Sequence, residues 1–236
     1  MKNNLLSVSS ALSKILKRIK VMPAKEVPVM ESLGLTLSES VFSKLNNPSS
    51  DVSSMDGYAV NIKKVNKLSL PFICIGESSA GSPFTNKVNN GECVRIFTGA
   101  SIPKNCDAIV LQEDTLVDKK NKNLINFKVM PRNDRFIRKK GMDFKVNEKI
   151  ISAGEIMTAR SISLAIAAGV AWVSVRQKPK IAIISTGNEL IRPGENIDSS
   201  NTDKIISSNG TFLYLFIKQM GGDPFFLPIA KDNINS

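Results

Sequence analysis

The sequence predicts a multidomain α/β protein, with an N-terminal β-rich lobe, a mixed α/β lobe and, last, an incomplete parallel α/β domain. Two observations lead to this prediction. Residues 27 to about 150 consist of short apolar runs separated by Gly, Pro, Asn and Ser, which is typical of strands joined by hairpins and loops. Residues 181–229 instead show a strand–helix–strand pattern, which is typical of a βαβ unit and a parallel sheet.

These two patterns also set the expected domain bounds. We expect residues 1–178 to form an N-terminal region in which the β-rich lobe, at about 45–145, is inserted in the mixed lobe. A charged joint at 176–180 precedes the parallel domain, which begins in residues 179–236. Two parallel strands cannot cover both faces of a sheet, so we expect this domain to be cut short, with Ile183 and Phe226 exposed, and protease-sensitive or aggregation-prone.

The first predicted element is an amphipathic helix near the N-terminus. Basic residues lie beside or opposite its apolar stripe and late in the segment, where cations suit the helix dipole. We place Leu12 and Ile15 on a buried stripe, so that replacing either by Lys would destabilise the N-terminal region. The apolar residues at helical spacing are Leu5, Val8, Leu12, Ile15, Leu16 and Ile19.

The remaining elements follow from the same kinds of pattern. Apolar runs predict strands at residues 58–60, 72–75, 93–97, 108–111, 124–129, 149–151, 171–175, 181–185 and 224–229. Helical spacing predicts two further helices, at residues 158–168 and 209–220. Glycines end both helices, Gly169 the first and the pair Gly221 and Gly222 the second.

The charge of the chain favours anionic partners. With 236 residues and a formal net charge of +11, the chain suits nucleic acid, an anionic membrane surface, or a small oxyanion or phosphate. The lysines are scattered, and no basic patch with interleaved aromatic residues is visible, so we expect no nucleic-acid partner. No apolar run reaches the roughly 18 residues of a membrane span, so we expect a cytoplasmic protein with no membrane partner.

Two residue types limit the chemistry that the chain can perform. It contains no histidine, which excludes Ser-His-Asp and Cys-His catalysis and all His-based zinc sites. The three cysteines, Cys74, Cys93 and Cys106, have no CxxC spacing, so we interpret them as small buried hydrophobic residues in a reducing compartment. Acid–base or metal chemistry must therefore use carboxylates, hydroxyls, lysines or backbone groups.

Three short stretches carry candidate site residues, although each is also compatible with an ordinary turn or helix cap. In SSMDGYAV, Asp56 and Gly57 are typical of a turn because Gly accepts positive φ, and an earlier turn nearby would hold the carboxylate. In RIFTGA, Thr98 and Gly99 end a strand at a turn with exposed N–H groups, which suits an oxyanion. The third stretch, ISTGNEL, follows a parallel strand at its carboxyl end, where ligands of α/β sheets bind.

Six stretches are informative because of their order along the chain. They are SSMDGYAV, GESSAG, RIFTGASIPKNCDAIVLQED, KKGMDF, ISTGNELIRPG and SSNGTFL. In this order they resemble the molybdopterin molybdenumtransferase family, the bacterial MoeA family that is also found as the C-terminal part of gephyrin. The resemblance implies insertion of molybdate into adenylyl-molybdopterin, with release of AMP and molybdenum cofactor. It also implies a divalent cation, usually Mg²⁺, small anionic substrates and a homodimer.

The resemblance also implies roles for individual residues. The motif matches imply catalytic roles for Asp56, Thr98 and Glu189. They imply substrate binding by Gly99, Asp143, Ser185, Thr186, Gly187 and Asn188, the last standing where many members of the family carry Asp. They imply metal ligation by Asp56, Glu189 and Asp232.

Other functions remain open beside this one. Members of the family continue through a Gly-rich segment and a PGKP segment that this sequence lacks, so we expect the isolated chain to lack the insertion activity. Gephyrin shows that the architecture can hold a partner peptide, which makes a non-catalytic dimerisation or scaffold module the main alternative. A nucleic-acid binder would instead show an affinity that falls steeply with salt.

Overall fold

The computed structural model describes residues 6–62, 70–195 and 203–233 and has a mixed α/β fold, which confirms this part of the predicted class, while the predicted lobes stay predictions. Within these ranges the α-helices are α1 (Val8–Leu16), α2 (Ala159–Ala167) and α3 (Ser208–Gln219). The strands are β1 (Ala24–Pro28), β2 (Val41–Phe42), β3 (Val52–Ser53), β4 (Gly57–Val60), β5 (Phe72–Ser78), β6 (Glu92–Ile96), β7 (Ala108–Leu111), β8 (Thr115–Val117), β9 (Leu124–Phe127), β10 (Ile137–Arg138), β11 (Lys149–Ile151), β12 (Trp172–Arg176), β13 (Lys180–Ile183), β14 (Leu190–Ile191), β15 (Ile205–Ile206) and β16 (Asp223–Phe226).

Internal contacts divide the chain into two compact units. The central unit comprises the described parts of residues 41–151 and 164–170. The terminal unit comprises the described parts of residues 1–40, 152–163 and 171–236. The predicted domain boundary between residues 178 and 179 stays a prediction.

The central unit contains a six-stranded sheet with the strand order β7-β4-β6-β5-β9-β8. Neighbouring strands are antiparallel except β5 and β6, which run parallel. Core clusters form on both faces of the sheet, so β4 is buried along its whole length. Because alternate side chains of a strand point to opposite faces, Tyr58 and Val60 join one cluster and Ala59 joins the other.

Aromatic and β-branched side chains fill the first of these clusters. Phe72 of β5 and Phe127 of β9 stack with their ring centroids 4.4 Å apart. Burial of a side chain of this size contributes about 1.5–3 kcal/mol to folding. The buried members of the cluster are Tyr58, Val60, Phe72, Cys93, Ala108, Val110, Ile125 and Phe127.

The terminal unit has an antiparallel pair, β1 and β12, in which Ala24 lies opposite Arg176 and Pro28 opposite Trp172. Proline at the end of an outer strand is tolerated because no ladder hydrogen bond needs its missing N–H. The buried apolar residues here include Val27, Val29, Leu37, Met157, Val173 and Val175.

The strand–helix–strand pattern of the terminal unit is confirmed. β13 and β16 run parallel, and α3, which lies between them in the chain, packs against both. Phe226 is 54% exposed, as predicted, although its ring stacks on Tyr214 of α3 with the ring centroids 5.1 Å apart. Ile183 is only 5% exposed, so the prediction that it is uncovered is wrong, because α3 packs on β13. The protease sensitivity of this region stays a prediction.

The N-terminal helix differs from its prediction. α1 begins after Ser7, whose Oγ accepts a hydrogen bond from the Ser10 N–H at 3.2 Å. It ends at Leu16, and Leu5 lies outside the described residues. Leu12 and Ile15 are 54% and 58% exposed, and no α1 residue is buried by the described parts of the chain. The predicted buried stripe is therefore wrong for these residues, because no described element covers α1.

The second helix ends where the sequence predicts. Gly169 has φ +78°, and its N–H donates to Ile166 O at 2.9 Å, while Val170 N–H donates to Ala165 O at 2.9 Å. The longest helix in the described ranges, α3, has 12 residues, and no helix there has the length and apolar character to cross a membrane.

Candidate functional site

Asp56 and Thr98 meet at one end of the central sheet. Asp56 precedes β4, and Thr98 follows the antiparallel strand β6, in which Ile96 lies opposite Gly57. Asp56 Oδ1 accepts two hydrogen bonds from Thr98, from the backbone N–H at 2.8 Å and from Oγ1 at 2.9 Å. The expectation that the Asp56 carboxylate is held in place is confirmed, but Thr98 holds it and not a second turn.

These hydrogen bonds keep Asp56 ionised. The Thr98 N–H, followed by the Thr98 hydroxyl, lowers the pKa of the Asp56 carboxyl, and the nearby Arg95 guanidinium adds a smaller effect in the same direction. Slight desolvation acts against them. At neutral pH, Asp56 is therefore a fixed, negatively charged and partly exposed group.

The turn at Thr98 is not open to an oxyanion in the way that its sequence predicts. Thr98 N–H is bound to Asp56, Gly99 N–H donates to Ser53 O at 2.8 Å, and Ala100 N–H donates to Phe97 O at 3.0 Å. The prediction of exposed N–H groups is therefore wrong, because the chain uses all three donors itself. Substrate binding by Gly99 stays a prediction.

Gly57 has a different role from the one that its Asp-Gly pair suggests. It belongs to β4 and is absent from the glycines with positive φ. A Cβ built at Gly57 would lie 2.1 Å from Val110 O on the adjacent strand β7. Glycine is required here for close packing of two backbones, so the expected turn conformation at this residue is wrong.

Arg95 is a further charged residue beside this pair. Its guanidinium lies 5.1 Å from the ring centroids of both Tyr58 and Phe97, and it donates a hydrogen bond to Gln112 Oε1. Arg95 is not among the residues predicted from the sequence, although a lone arginine in the apolar stretch RIF is a signal that could have identified it.

Asp143 takes part in an ion pair elsewhere in the central unit. Its carboxylate accepts a hydrogen bond from Arg138 Nη2 at 2.5 Å, and both side chains are about 40% exposed. Nearby in sequence, Lys139 pairs with Asp51 at 3.1 Å and also with Asp134. Exposed pairs of this kind contribute little to stability, about 0–1 kcal/mol, which leaves them free to exchange partners with a ligand.

In the terminal unit, the predicted residues 185–187 extend the parallel pairing beyond β13. Thr186 forms a bridge with Ala230, whose N–H donates to Ser185 O at 2.9 Å. Gly187 N–H donates to Ala230 O at 3.0 Å. These backbone groups are therefore engaged by the segment that follows β16.

Three of the polar residues predicted in this unit lie close together. Asp232 N–H donates to Asn188 Oδ1 at 3.2 Å, and Lys204 Nζ donates to Asn188 O at 2.8 Å. Both carboxylate oxygens of Glu189 lie against Gly187, where an added Cβ would approach them to 2.6 Å. Gly187 also has φ +146°, so a side chain there would be disfavoured for two reasons.

A cavity of about 400 Å³ opens beside Ser185. Ser207 Oγ donates to Ser185 Oγ at 3.1 Å, and Thr211 and Arg192 also line the cavity. A neighbouring cavity of about 370 Å³ shares Arg192 and adds Lys204 among its lining residues. Hydroxyls and cationic side chains at the carboxyl end of a parallel strand pair suit an anionic ligand.

Gly210 allows the start of α3 to approach this cavity. An added Cβ would lie 3.2 Å from Ser185 Oγ and 3.3 Å from Phe226 Cε1, closer than ordinary contact. Ser207, Thr211 and Arg192 are not among the residues predicted from the sequence, although Ser207 and Thr211 lie on either side of this glycine in the stretch SSNGTFL and Arg192 lies in ISTGNELIRPG.

The predicted site residues fall into two groups. Asp56, Thr98, Gly99 and Asp143 belong to the central unit, whereas residues 185–189 and Asp232 belong to the terminal unit. Among the residues that the structure describes, no group of three or more Asp, Glu or Cys side chains could hold a metal ion. The catalytic, substrate-binding and metal-binding roles stay predictions.

The strand-rich sheet and the parallel strand pair with its polar cavity define a mixed α/β protein with a site suited to anionic ligands. The chain belongs to the MoeA family: residues 6–169 match the family model described as MoeA N-terminal region (domain I and II). This match confirms the resemblance found in the sequence.

Individual relatives agree with the family match. A molybdopterin molybdenumtransferase from Haemophilus influenzae is 30% identical over 230 residues, covering 97% of this chain and 55% of the relative. A protein of the same name from Staphylococcus aureus is 29% identical, covering 100% of this chain and 56% of the relative. The molybdopterin biosynthesis MoeA protein of Pyrococcus horikoshii superimposes with a TM-score of 0.88 at 25% identity, covering 98% of this chain and 62% of that one. The chain thus spans about half the length of the curated relatives it matches.

Proposed function

We propose that this chain acts in molybdenum cofactor biosynthesis, in the cytoplasm, by inserting molybdate into adenylyl-molybdopterin with release of AMP and molybdenum cofactor. Two relatives that match nearly the whole chain carry the name molybdopterin molybdenumtransferase, which supports the proposal. The site chemistry supports it too, because molybdate and phosphate are hard oxyanions that hydroxyls and cationic side chains bind well.

The observation that carries the proposal is the hydrogen-bonded pair of Asp56 and Thr98. Both hydrogen bonds go to Oδ1, and no donor to Oδ2 is found in the described part of the chain. An ionised carboxylate that is fixed through one oxygen and open at the other can orient a water molecule or bind a cation. Asp56 would act in this way at the phosphoanhydride of the adenylylated substrate, while Thr98 positions it.

The terminal unit would bind the anionic groups of the substrates. Ser185, Ser207 and Thr211 supply hydroxyls, and Arg192 supplies a guanidinium that can bind two oxygens of a phosphate. Ser207 and Thr211 also lie at the N-terminal end of α3, where the helix dipole favours negative charge.

The described carboxylates fit the Mg²⁺ ion that the family resemblance implies. Glu189 and Asp232 lie on the segments that follow β13 and β16, close to Asn188. Mg²⁺ in phosphoryl-transfer sites is usually held by one or two carboxylates together with substrate phosphates, so Glu189 and Asp232 would hold it in the terminal unit. Asp56, in the central unit, is proposed separately as a cation ligand. When bound, the ion would neutralise charge on the phosphoanhydride.

The proposal is tested by measuring AMP release from adenylyl-molybdopterin, with molybdate and Mg²⁺ each omitted in turn. Because the chain spans about half of its relatives, the assay compares the chain alone with the chain fused to the part of the Staphylococcus aureus relative that it does not cover. We expect release from the fusion that requires both molybdate and Mg²⁺, and none from the chain alone. A folded fusion that releases no AMP would overturn the proposal.

Self-association without catalysis is the second candidate function, and α1 favours it. Its apolar residues Leu12, Ile15 and Leu16 are all more than half exposed, which is unusual for an amphipathic helix unless another molecule covers it. A homodimer would bury this face. Sedimentation equilibrium tests this function: a chain that dimerises yet shows no activity in the fusion would favour it.

A further inference from the structure

Cys74 and Cys93 are neighbours across the parallel pair of the central sheet. They are register partners on β5 and β6, and both pack in the cluster that contains Tyr58 and Phe72. Side chains of register partners point to the same face of a sheet, and adjacent strands lie about 4.8 Å apart. This spacing falls within the range of about 4.4–6.8 Å between Cα atoms that disulfides bridge.

The two thiols differ in their access to solvent. Cys74 is partly exposed, whereas Cys93 is 0% exposed. A small reagent can therefore reach Cys74 first, with the second thiol lying beside it in the sheet. An accessible thiol beside a second, protected thiol is the arrangement that redox-sensing cysteines use.

The surroundings of Cys74 favour its thiolate. Hydrogen bonding by the Cys93 thiol is the largest effect; with the backbone hydrogen bonds at Gly76 and Arg95 and the Arg95 guanidinium it outweighs desolvation and lowers the pKa of Cys74 to about 6. The same partnership and burial raise the pKa of Cys93. The thiolate is the reactive form of cysteine, so Cys74 is the nucleophile of the pair.

The backbone next to Cys74 is irregular. The register of β5 and β6 shifts between Cys74 and Glu77, as in a β-bulge. Gly76 lies in this irregular segment, and Cys74 Sγ lies 3.4 Å from its carbonyl oxygen. Bulges locally disrupt the ladder and bend the strand, so the backbone that follows Cys74 is not held in a regular ladder.

We propose that Cys74 and Cys93 form a redox-active pair that hydrogen peroxide oxidises to a disulfide, with Cys74 attacking and Cys93 resolving. The Cys74 thiolate attacks one peroxide oxygen, the O–O bond breaks, a sulfenic acid forms, and the hydroxide that leaves takes up a proton to become water. Cys93 then attacks the sulfenic sulfur: the S–S bond forms, the S–O bond breaks, and the thiol proton leaves with hydroxide as a second water. Both sulfurs are oxidised, the peroxide is reduced, and an added dithiol reverses the change.

Cys106 provides an internal control. It packs beside the second cluster, on the other face of the sheet, with Ala59 and Ile96. Burial raises the pKa of its thiol to about 12, so at neutral pH it contains almost no thiolate. It should not react under conditions in which Cys74 does.

The test treats the whole reduced 236-residue chain with hydrogen peroxide at neutral pH and maps its peptides by mass spectrometry without reduction. We expect one cross-linked peptide pair joining Cys74 to Cys93, reversed by dithiothreitol. Cys93→Ser should stop at a sulfenic acid on Cys74 that dimedone labels, Cys74→Ser should leave Cys93 unoxidised, and Cys106→Ser should behave as the parent. Equal oxidation of all three cysteines, or a treated parent chain without this cross-link, would overturn the proposal.

A kinetic measurement checks the chemistry independently. In the Cys106→Ser variant, alkylation of Cys74 by iodoacetamide should level off above about pH 7, whereas an unperturbed thiol keeps gaining rate up to about pH 8.5. At pH 6 we expect about tenfold faster alkylation than for an unperturbed thiol, after allowance for the lower nucleophilicity of a more acidic thiol. A rate that rises through pH 8.5 would contradict the assignment of Cys74 as the nucleophile. If the Cys93→Ser variant fails to fold, Cys93→Ala replaces it. If both variants fail to fold, the presence or absence of the cross-link in the parent chain decides whether the proposal holds.

Discussion

The site at Asp56 and the cavity site at Ser185, which follows β13, hold their polar groups in different ways. In the central unit, β4 is buried on both faces, and Asp56 at its start is fixed by two hydrogen bonds from Thr98. In the terminal unit, Ser185 and Ser207 line an open cavity and bind each other at 3.1 Å, beside the half-exposed ring of Phe226. The first site is therefore rigid before any ligand arrives, whereas hydroxyls of the second can exchange their mutual hydrogen bond for one to a ligand.

The largest effect should come from Asp56→Asn, which removes the charge but keeps an oxygen that can accept the Thr98 hydrogen bonds. AMP release by the fusion protein should fall at least about 100-fold, while the melting temperature stays near that of the parent. Asp118→Asn is the matched control, because Asp118 accepts backbone hydrogen bonds from Lys120 and Asn121 in a surface turn. Normal activity with a lowered melting temperature would show that Asp56 is only a turn residue.

Gly57→Ala tests how strongly the buried strand constrains the first site. The new methyl group would lie 2.1 Å from Val110 O, so the free energy of unfolding in urea should fall by about 3 kcal/mol. Gly81→Ala serves for comparison: Gly81 has φ +81° and open space around it, so it should lose only about 1 kcal/mol. Equal losses in the two variants would mean that β4 and β7 can separate without cost.

Leu12→Lys and Ile15→Lys test the terminal unit at its exposed helix. The sequence predicts a loss of a few kcal/mol, but both side chains are more than half exposed, so we now expect changes within about 0.5 kcal/mol. Self-association measured by sedimentation should weaken if a second copy covers α1. Lys17→Ala is the control for a change in charge on this helix. A large drop in melting temperature for Leu12→Lys or Ile15→Lys would support the original prediction that these side chains are buried.

The smallest effect concerns the pH dependence of the Asp56 site. The lowered pKa of Asp56 means that its charge contributes stability above about pH 3.9, the ordinary value, which is lost as the pH falls through the folded-state pKa. Thr98→Val removes the hydroxyl and should raise this pKa, measured by NMR titration, toward the ordinary value. Thr115→Val, which loses a hydrogen bond to Gln112 O, should leave it unchanged.

The sequence allowed much of the fold to be predicted, because apolar runs mark buried strands directly. The predicted strands at 108–111 and 149–151 have the observed bounds of β7 and β11, and β13 and β16 are parallel as expected. Two-residue strands such as β2 and β10 could not be predicted, since two residues carry no periodicity. The burial of α1 was predicted wrongly because periodicity identifies an apolar face but not what covers it.

The candidate site was predictable in its residue types and less so in its contacts. Family motifs selected Asp56 and Thr98, but only the structure shows that they bind each other. The role of Gly57 depends on Val110, which lies 53 positions away in the sequence but on the adjacent strand of the sheet. Arg192 and Ser207 were missed because a cavity wall is assembled from segments whose proximity no local pattern records.

The turn at Thr98 behaves as an anion receptor that carries its own anion. The Asp56 carboxylate is tethered to the chain, so its effective concentration at the turn far exceeds that of free sulfate or phosphate in a cell. Its charge also repels an oxyanion that carries no bound cation, so an anionic substrate would approach most easily together with a cation. The turn thus selects against stray inorganic anions, and NMR titration of the Thr98 amide with sulfate, expected to leave its signal unmoved, would test this selectivity.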